Sequence, residues 1–145
     1  MKKIILLTTA LFYSVISFAQ DIRANEVPSV VLNTFKQKFP KATDVEWELE
    51  NKLYKVEFEI SRKDHEAWIS SEGSVVKHKQ DLKATDLPKA VTASIAANYK
   101  GFRIDDVDKI ETGAKTLYKV ELKTSSQEQD VFFDQNGKVV EGDVK

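Results

Sequence analysis

The pentapeptide Leu53-Tyr54-Lys55-Val56-Glu57 occurs twice in this chain, since residues 117–121 repeat it without a change. In both copies apolar side chains alternate with charged ones, which predicts a strand with one buried face. A second match lies at the same spacing, where Gly73-Ser74-Val75-Val76 corresponds to Gly137-Lys138-Val139-Val140. We therefore expect one structural unit that has been duplicated.

A helix is predicted before the strands of each copy. The segment 27–31 recurs as residues 87–91, and a proline is second in both. Proline suits the first turn of a helix, because its missing N–H would have no partner there. Apolar residues then follow at i, i+4 and i+8, which gives each helix one apolar stripe. The stripe residues are Val31, Phe35 and Phe39 in the first copy and Val91, Ile95 and Tyr99 in the second.

After each helix the apolar period becomes two, which predicts antiparallel strands. Hairpin turns are expected at Asn51-Lys52 and, with a stronger signal, at Asn136-Gly137. The predicted fold class is α+β, a tandem repeat of a helix followed by a four-stranded antiparallel meander. The helices pack on one face of the sheet or sheets and leave a charged face open. The pattern leaves open whether the repeats share one continuous sheet.

The first nineteen residues predict a signal peptide. Lys2 and Lys3 precede the apolar run 4–18, which is too short for the ~20 residues that span a membrane, and small residues come before Gln20. A membrane anchor is the alternative. The predicted organisation is signal peptide 1–19, N-terminal linker 20–26, first repeat 27–82 and second repeat 86–145. We expect a periplasmic or secreted protein that does not insert into the membrane after cleavage.

Composition excludes several classes of protein. The 145 residues contain no cysteine, which rules out disulfides, thiolate metal centres and cysteine nucleophiles. The formal net charge of -1 provides no basic field for a phosphate backbone, so no nucleic-acid partner is expected. We expect a monomer without a cofactor.

Catalytic motifs are not found, and no catalytic residue is assigned. The sequence has no G-x-S-x-G elbow, phosphate-binding glycine loop or H-E-x-x-H pair. The two histidines, His65 and His78, fall on predicted strands of the first copy, and the second copy lacks both. We interpret them as solvated strand residues. The alternative is a zinc site formed by His65, His78 and either Glu66 or Glu72. The chain is predicted not to be an enzyme, and no metal site is assigned.

The order of the motifs resembles the PepSY-like proteins, which are grouped with the beta-lactamase-inhibitor-like fold. The motifs are Val27-Pro28, Phe39-Pro40, the Val45-x-Trp47 strand, the Tyr54-x-Val56-x-Phe58 strand and the Gly73-x-Val75-Val76 hairpin. The resemblance covers residues 26–145 as two copies. It implies an exported, non-catalytic module that binds or restrains another protein. The second copy departs from the pattern at Tyr99-Lys100 and at Ile110.

Two aromatic residues are candidate binding anchors. If Ala67 and Ile69 face the helix, alternation points Trp68 to the open face, and the same argument points Phe132 outward. Large aromatic side chains contribute disproportionately to binding energy at protein interfaces. A bulge that reverses the register, or packing of the two copies on each other, would bury both side chains instead.

The same face is predicted to carry an acidic set. Its members are Glu46, Glu48, Glu57 and Glu59. Such a set is a solvated surface, a docking surface for a basic partner or a calcium site. The leading hypothesis is an exported non-enzymatic binding module that docks a partner protein or peptide, with inhibition or regulation of an exported hydrolase as one form. The alternative is a periplasmic small-ligand or metal-binding protein.

Overall fold

The structure is a computed structural model that describes residues 19–142. It contains two α-helices and one antiparallel sheet, in which every strand is hydrogen-bonded to its neighbours in chain order. The first half comprises β1 (Ala19–Ile22), α1 (Ser29–Lys38), β2 (Thr43–Glu50), β3 (Leu53–Ile60), β4 (Lys63–Ile69) and β5 (Val75–Asp81). The second half comprises α2 (Lys89–Asn98), β6 (Arg103–Thr112), β7 (Lys115–Lys123), β8 (Glu128–Asp134) and β9 (Val139–Val140).

The α+β class agrees with the sequence analysis, but the predicted architecture of repeated helix-plus-four-strand units is wrong. The sheet is a single nine-stranded meander, because β5 pairs directly with β6. This pairing satisfies backbone groups that two separate sheets would leave on open edges. The strand that the sequence analysis did not predict is β1, which pairs with β2. Its residues 20–22 had been assigned to the N-terminal linker.

The predicted signal peptide lies outside the described residues except for Ala19, the first residue of β1. The signal peptide and the boundaries of the two repeats stay predictions.

Each helix covers its own half of the sheet. Two hydrophobic clusters result, and they share no residue. Since the clusters are separate, the two halves are joined mainly by the strand pair β5–β6. The first cluster contains Val27, Val31, Phe35, Trp47, Val56, Phe58, Ala67 and Ile69; the second contains Leu87, Val91, Ile95, Val107, Val120, Leu122, Val131 and Phe133.

A glycine lets the closing hairpin of each half approach the helix. Gly73 and Gly137 both have positive φ angles, of 85° and 78°. The Oγ1 of Thr34 in α1 donates a hydrogen bond to the Gly73 carbonyl at 2.9 Å. In the second half the backbone of Ala90 lies directly against Gly137. The glycine of the closing hairpin therefore lets each hairpin pack closely against its helix.

The predicted turn between β2 and β3 forms without glycine. Asn51 and Lys52 both have positive φ angles, of 50° and 68°, as a two-residue turn of type I′ requires. Ser61 and Arg62 adopt the same conformation between β3 and β4, at 55° and 63°. These turns set the register that decides which side chains lie on each face.

Candidate functional site

The face of the sheet opposite the helices, called the open face below, is the candidate functional site. Trp47 is 5% exposed beneath α1, so its neighbours Glu46 and Glu48 point to the opposite side. Strand pairing extends this face across the sheet, since Glu48 is opposite Lys55 and Lys55 is opposite Trp68. The helices lie on the other side, so that they leave the open face uncovered.

Trp68 lies on the open face, as alternation predicts. Its indole Nε1 donates a hydrogen bond to Glu50 Oε2 at 2.8 Å. The Nζ of Lys77 lies 4.4 Å from the ring centroid, which is a cation–π distance. Trp68 is therefore half-buried and held in one orientation before any partner arrives.

Phe132 also lies on the open face, opposite Lys119 on β7 and Val140 on β9. The C-terminal segment covers part of its ring, because a Cβ placed on Gly142 would lie 2.8 Å from Phe132 Cζ. Four strand spacings separate β4 from β8, which places Phe132 roughly 19 Å from the strand of Trp68. The two predicted anchors therefore occupy opposite halves of the face, and only a broad partner could contact both.

The four predicted glutamates differ in whether they form ion pairs. Glu48 and Glu57 both form ion pairs with Lys55, the former at 3.5 Å. Burial lowers the pKa of Lys55, but the hydrogen bond that Lys55 donates to Glu57 and the charge of Glu66 outweigh this effect and raise that pKa. Glu46 and Glu59 form no side-chain hydrogen bond or ion pair with any residue in the range 19–142. Their charges remain available to a partner.

A strongly acidic cleft of about 310 Å³ lies at one end of this face. Seven carboxylates and one lysine, Lys79, line it. Lys79 already binds Glu66 at 2.8 Å, and this contact lowers the pKa of Glu66 although burial raises it. The cleft therefore has a large excess of negative charge. Its lining residues are Asp44, Glu46, Glu57, Phe58, Glu59, Asp64, His65, Glu66, Lys79 and Asp81.

Asp108 is an open-face residue that the sequence analysis missed. It is 4% exposed and lies opposite Asp81, beside the cleft. Lys79 Nζ approaches its Oδ1 only to 3.7 Å, and within the described residues that oxygen has no hydrogen-bond partner. The pKa of Asp108 is raised to about 6, mainly by burial and also by Asp81 and Asp106, against the attraction of Lys79.

A bulge in β6 prevents sequence alternation from predicting which face Asp108 occupies. The register of β6 against β7 shifts between Ile104 and Asp106. Alternation counted from the inward-facing Ile104 would therefore assign Asp108 to the helix side. The structure instead pairs Asp108 with Lys119, on the open face.

The substitution Asp108→Asn is expected to stabilise the protein above pH 7, by about 1–2 kcal/mol. The pKa of Asp108 is higher in the folded state than the ordinary value of 3.8, so its favourable contribution exists at low pH and is lost as the pH rises through about 6. Asparagine cannot ionise. The check is the unfolding free energy of both proteins from pH 4 to pH 8. If the difference in unfolding free energy between the two proteins did not change from pH 4 to pH 8, the raised pKa of Asp108 would be contradicted.

The two histidines occupy the opposite, helix-covered face, and the interpretation as solvated residues is wrong. His65 is 6% exposed, and its Nδ1 lies 3.0 Å from His78 Nε2. The Nδ1 of His78 in turn lies 3.1 Å from Glu111 Oε2. Burial lowers the pKa of both histidines, which favours a neutral, hydrogen-bonded pair. Sequence could not indicate this pair, because it depends on which strands are neighbours.

The structure does not assemble the alternative zinc site. Glu66 follows His65 in β4 and therefore points to the open face. Glu72 lies in the turn after β4, where it binds Ser71. In residues 19–142, no group of three or more His, Cys, Asp or Glu side chains is placed to hold a metal ion.

Comparison with protein families gives one match. A family model described as beta-lactamase-inhibitor-like, PepSY-like matches residues 15–77 and 60–141, two segments that overlap and together span most of the chain. Among curated proteins none matches significantly.

Several solved structures from Bacteroides species are similar to this chain. A DUF2874 family protein from Bacteroides uniformis has a TM-score of 0.72 at 21% identity, covering 79% of this chain and 86% of its own. A candidate periplasmic protein from Bacteroides eggerthii has the same TM-score and coverage at 18% identity. A BLIP-like protein from Bacteroides fragilis scores 0.70 at 20% identity, covering 79% of this chain and 83% of its own. At these identities the likeness concerns the fold.

Neither helix in the described part of the chain has the length and apolar character to cross a membrane.

Proposed function

The chain belongs to the beta-lactamase-inhibitor-like, PepSY-like family, and on that premise we propose that it is an exported, non-enzymatic binding module. It docks a partner protein or peptide on the open face of its sheet. The observation that carries this proposal is Trp68, a large aromatic side chain held in place on a face that the helices leave uncovered. A side chain ordered in advance loses little entropy on binding, so it suits an anchor.

The charges on the same face as Trp68 support a protein partner over a small apolar ligand. The open face combines a fixed aromatic ring with carboxylates such as Glu46 and Glu59 that have no ion-pair partner among the described residues. Such charges steer association and set the register of a complex. Phe132 provides a second, partly covered aromatic surface in the other half. Glu48 and Glu57, which both pair with Lys55, contribute less to steering.

Location and biological role follow the family and the predicted signal peptide. We place the protein in the periplasm or outside the cell, and one structural neighbour is described as a candidate periplasmic protein. Regulation of an exported hydrolase is consistent with the family description. The protein acts as a monomer without a cofactor. A small-ligand or metal receptor has less support, because the described residues offer no metal-binding cluster.

Affinity capture from the native cell envelope and culture fluid tests this function. The bait is the chain without its predicted signal peptide, and Trp68→Ala/Phe132→Ala is the variant. Each substitution removes one predicted anchor. We therefore expect the folded variant to capture at least tenfold less protein than the wild type, because an interface hot spot contributes ~2 kcal/mol to binding.

The matched control for the capture is Lys36→Ala/Gln37→Ala, two exposed positions on α1. This variant should capture as much as the wild type. If the anchor variant and the control retained equal amounts, the open face would not be the binding site. Circular dichroism of each bait checks that it is folded.

A further inference from the structure

We propose that an acid row on the open face is the binding site for a lysine or arginine side chain from a basic segment of the partner. The acid row consists of Glu59, Asp64, Asp81 and Asp108. This inference rests on the proposed function and specifies the chemistry of the partner. It also gives the acidic cleft a function in binding that is separate from that of Trp68 and Phe132.

The acid row crosses four neighbouring strands, β3 to β6. Glu59 is opposite Asp64, and Asp81 is opposite Asp108. Asp64 and Asp81 come next to the paired residues His65 and Gln80, and both line the acidic cleft. Like charges directly opposite each other destabilise a sheet. Four consecutive carboxyl groups therefore carry a folding cost that a bound cation would relieve.

A buried polar group points to a missing cation independently of the charge count. Asp108 is 4% exposed, and its Oδ1 has no hydrogen-bond partner within the described residues. Asp108 does not itself line the cleft, but it lies directly opposite Asp81, which does. A buried carboxylate oxygen without a hydrogen bond is costly and unusual. A cationic donor entering the cleft would supply the bond.

Within residues 19–142, neither of the two lysines beside Asp108 fills this role. Lys79 Nζ is 3.7 Å from Asp108 Oδ1, beyond hydrogen-bond distance, and binds Glu66 at 2.8 Å instead. Lys119 lies opposite Asp108 on the far side, where it pairs with Asp130 at 3.1 Å. These two lysines therefore balance only part of the negative charge of the acid row.

The position of the acid row fits the aromatic anchor. Asp64 and Trp68 lie on the same face of β4, four residues apart, which corresponds to about 13 Å along the strand. A partner segment of about four extended residues therefore spans both. An arginine fits the row well, because its guanidinium donates several hydrogen bonds and stays charged at every accessible pH.

A short basic peptide, acetylated and amidated hexa-arginine, is the probe for this proposal. Its affinity is measured by calorimetry in low salt for the wild type and for Asp64→Asn/Asp81→Asn. We expect at least a tenfold loss of affinity in the variant. We also expect the variant to unfold at the same or higher denaturant concentration, because it removes like-charge repulsion. A purely structural role for these acids would lower the stability instead.

The matched control, Glu121→Gln/Glu128→Gln, removes two negative charges from the other half of the same face and leaves the Lys119–Asp130 ion pair in place. It should bind hexa-arginine within twofold of the wild type. Equal losses in both variants would show a response to net charge alone and would overturn the proposal, as would a wild type that does not bind. Glu59→Gln/Asp64→Asn replaces the first variant if that one does not fold. Loss of capture through Trp68 tests the proposed function separately, so either can fail alone.

Discussion

Replacing Gly137 with alanine is expected to destabilise the protein by about 3 kcal/mol or more. Two costs add. The φ angle of 78° disfavours any residue with a Cβ, and a Cβ at this position would lie 2.7 Å from the Ala90 carbonyl carbon, with the carbonyl oxygen closer still. Because the contact is with backbone, α2 would have to move away from the hairpin. The midpoint and slope of urea unfolding measure the effect.

Two other glycines separate these costs. Gly101 has a φ of 87° and no atom near its Cβ position, so Gly101→Ala should lose only about 1–2 kcal/mol of backbone strain. Gly73→Ala should be intermediate, because its nearest contacts are the Thr34 and Val30 side chains at 2.9 Å, which can adjust more easily than backbone. If Gly101→Ala were as damaging as Gly137→Ala, the close approach of hairpin and helix would not explain the effect.

The two tryptophans are expected to respond very differently to alanine. Trp47 is 5% exposed and its ring lies edge-on to Phe35 with centroids 5.3 Å apart. Trp47→Ala should therefore cost about 3–5 kcal/mol of unfolding free energy. Trp68 is half-buried on the open face, so Trp68→Ala should cost about 1 kcal/mol, mainly through lost contacts with Lys77 and Glu50.

Thermal and urea unfolding of the two variants make the comparison. The result matters for function, because the capture experiment requires that the Trp68 variant fold normally. If Trp68→Ala lost as much stability as Trp47→Ala, Trp68 would be a core residue, and its effect on capture would report unfolding.

The local elements follow from sequence because their signals are local. Stripes such as Val31 and Phe35 place the helices, and alternation through Tyr54 and Val56 places the strands. The same alternation correctly assigns Trp47 to the core and Trp68 to the open face. These assignments need only the residue pattern within one element.

The remaining features depend on contacts between distant segments. The single sheet requires β5 to pair with β6, and no local pattern in the intervening residues specifies that pairing. The histidine pair and the acid row arise from the same kind of pairing, which brings Glu111 to His78 and Asp108 to Asp81. The assignment of Asp108 was further hidden by the bulge after Ile104.

The central claim is that a partner docks on the open face of the sheet. Since the chain has no cysteine, single cysteines can carry a benzophenone photo-crosslinker at chosen positions. Thr112 is exposed on the open face, opposite Lys115, and Gln37 is exposed on the outer side of α1. Both positions tolerate substitution, because neither side chain belongs to a hydrophobic cluster.

The deciding measurement is the crosslinking yield to the captured protein from these two positions. The proposed function predicts a crosslinked product from the Thr112 position, its loss in the Trp68→Ala/Phe132→Ala background, and none from the Gln37 position. A product from Gln37 but not from Thr112 would place the partner on the helices and contradict the account.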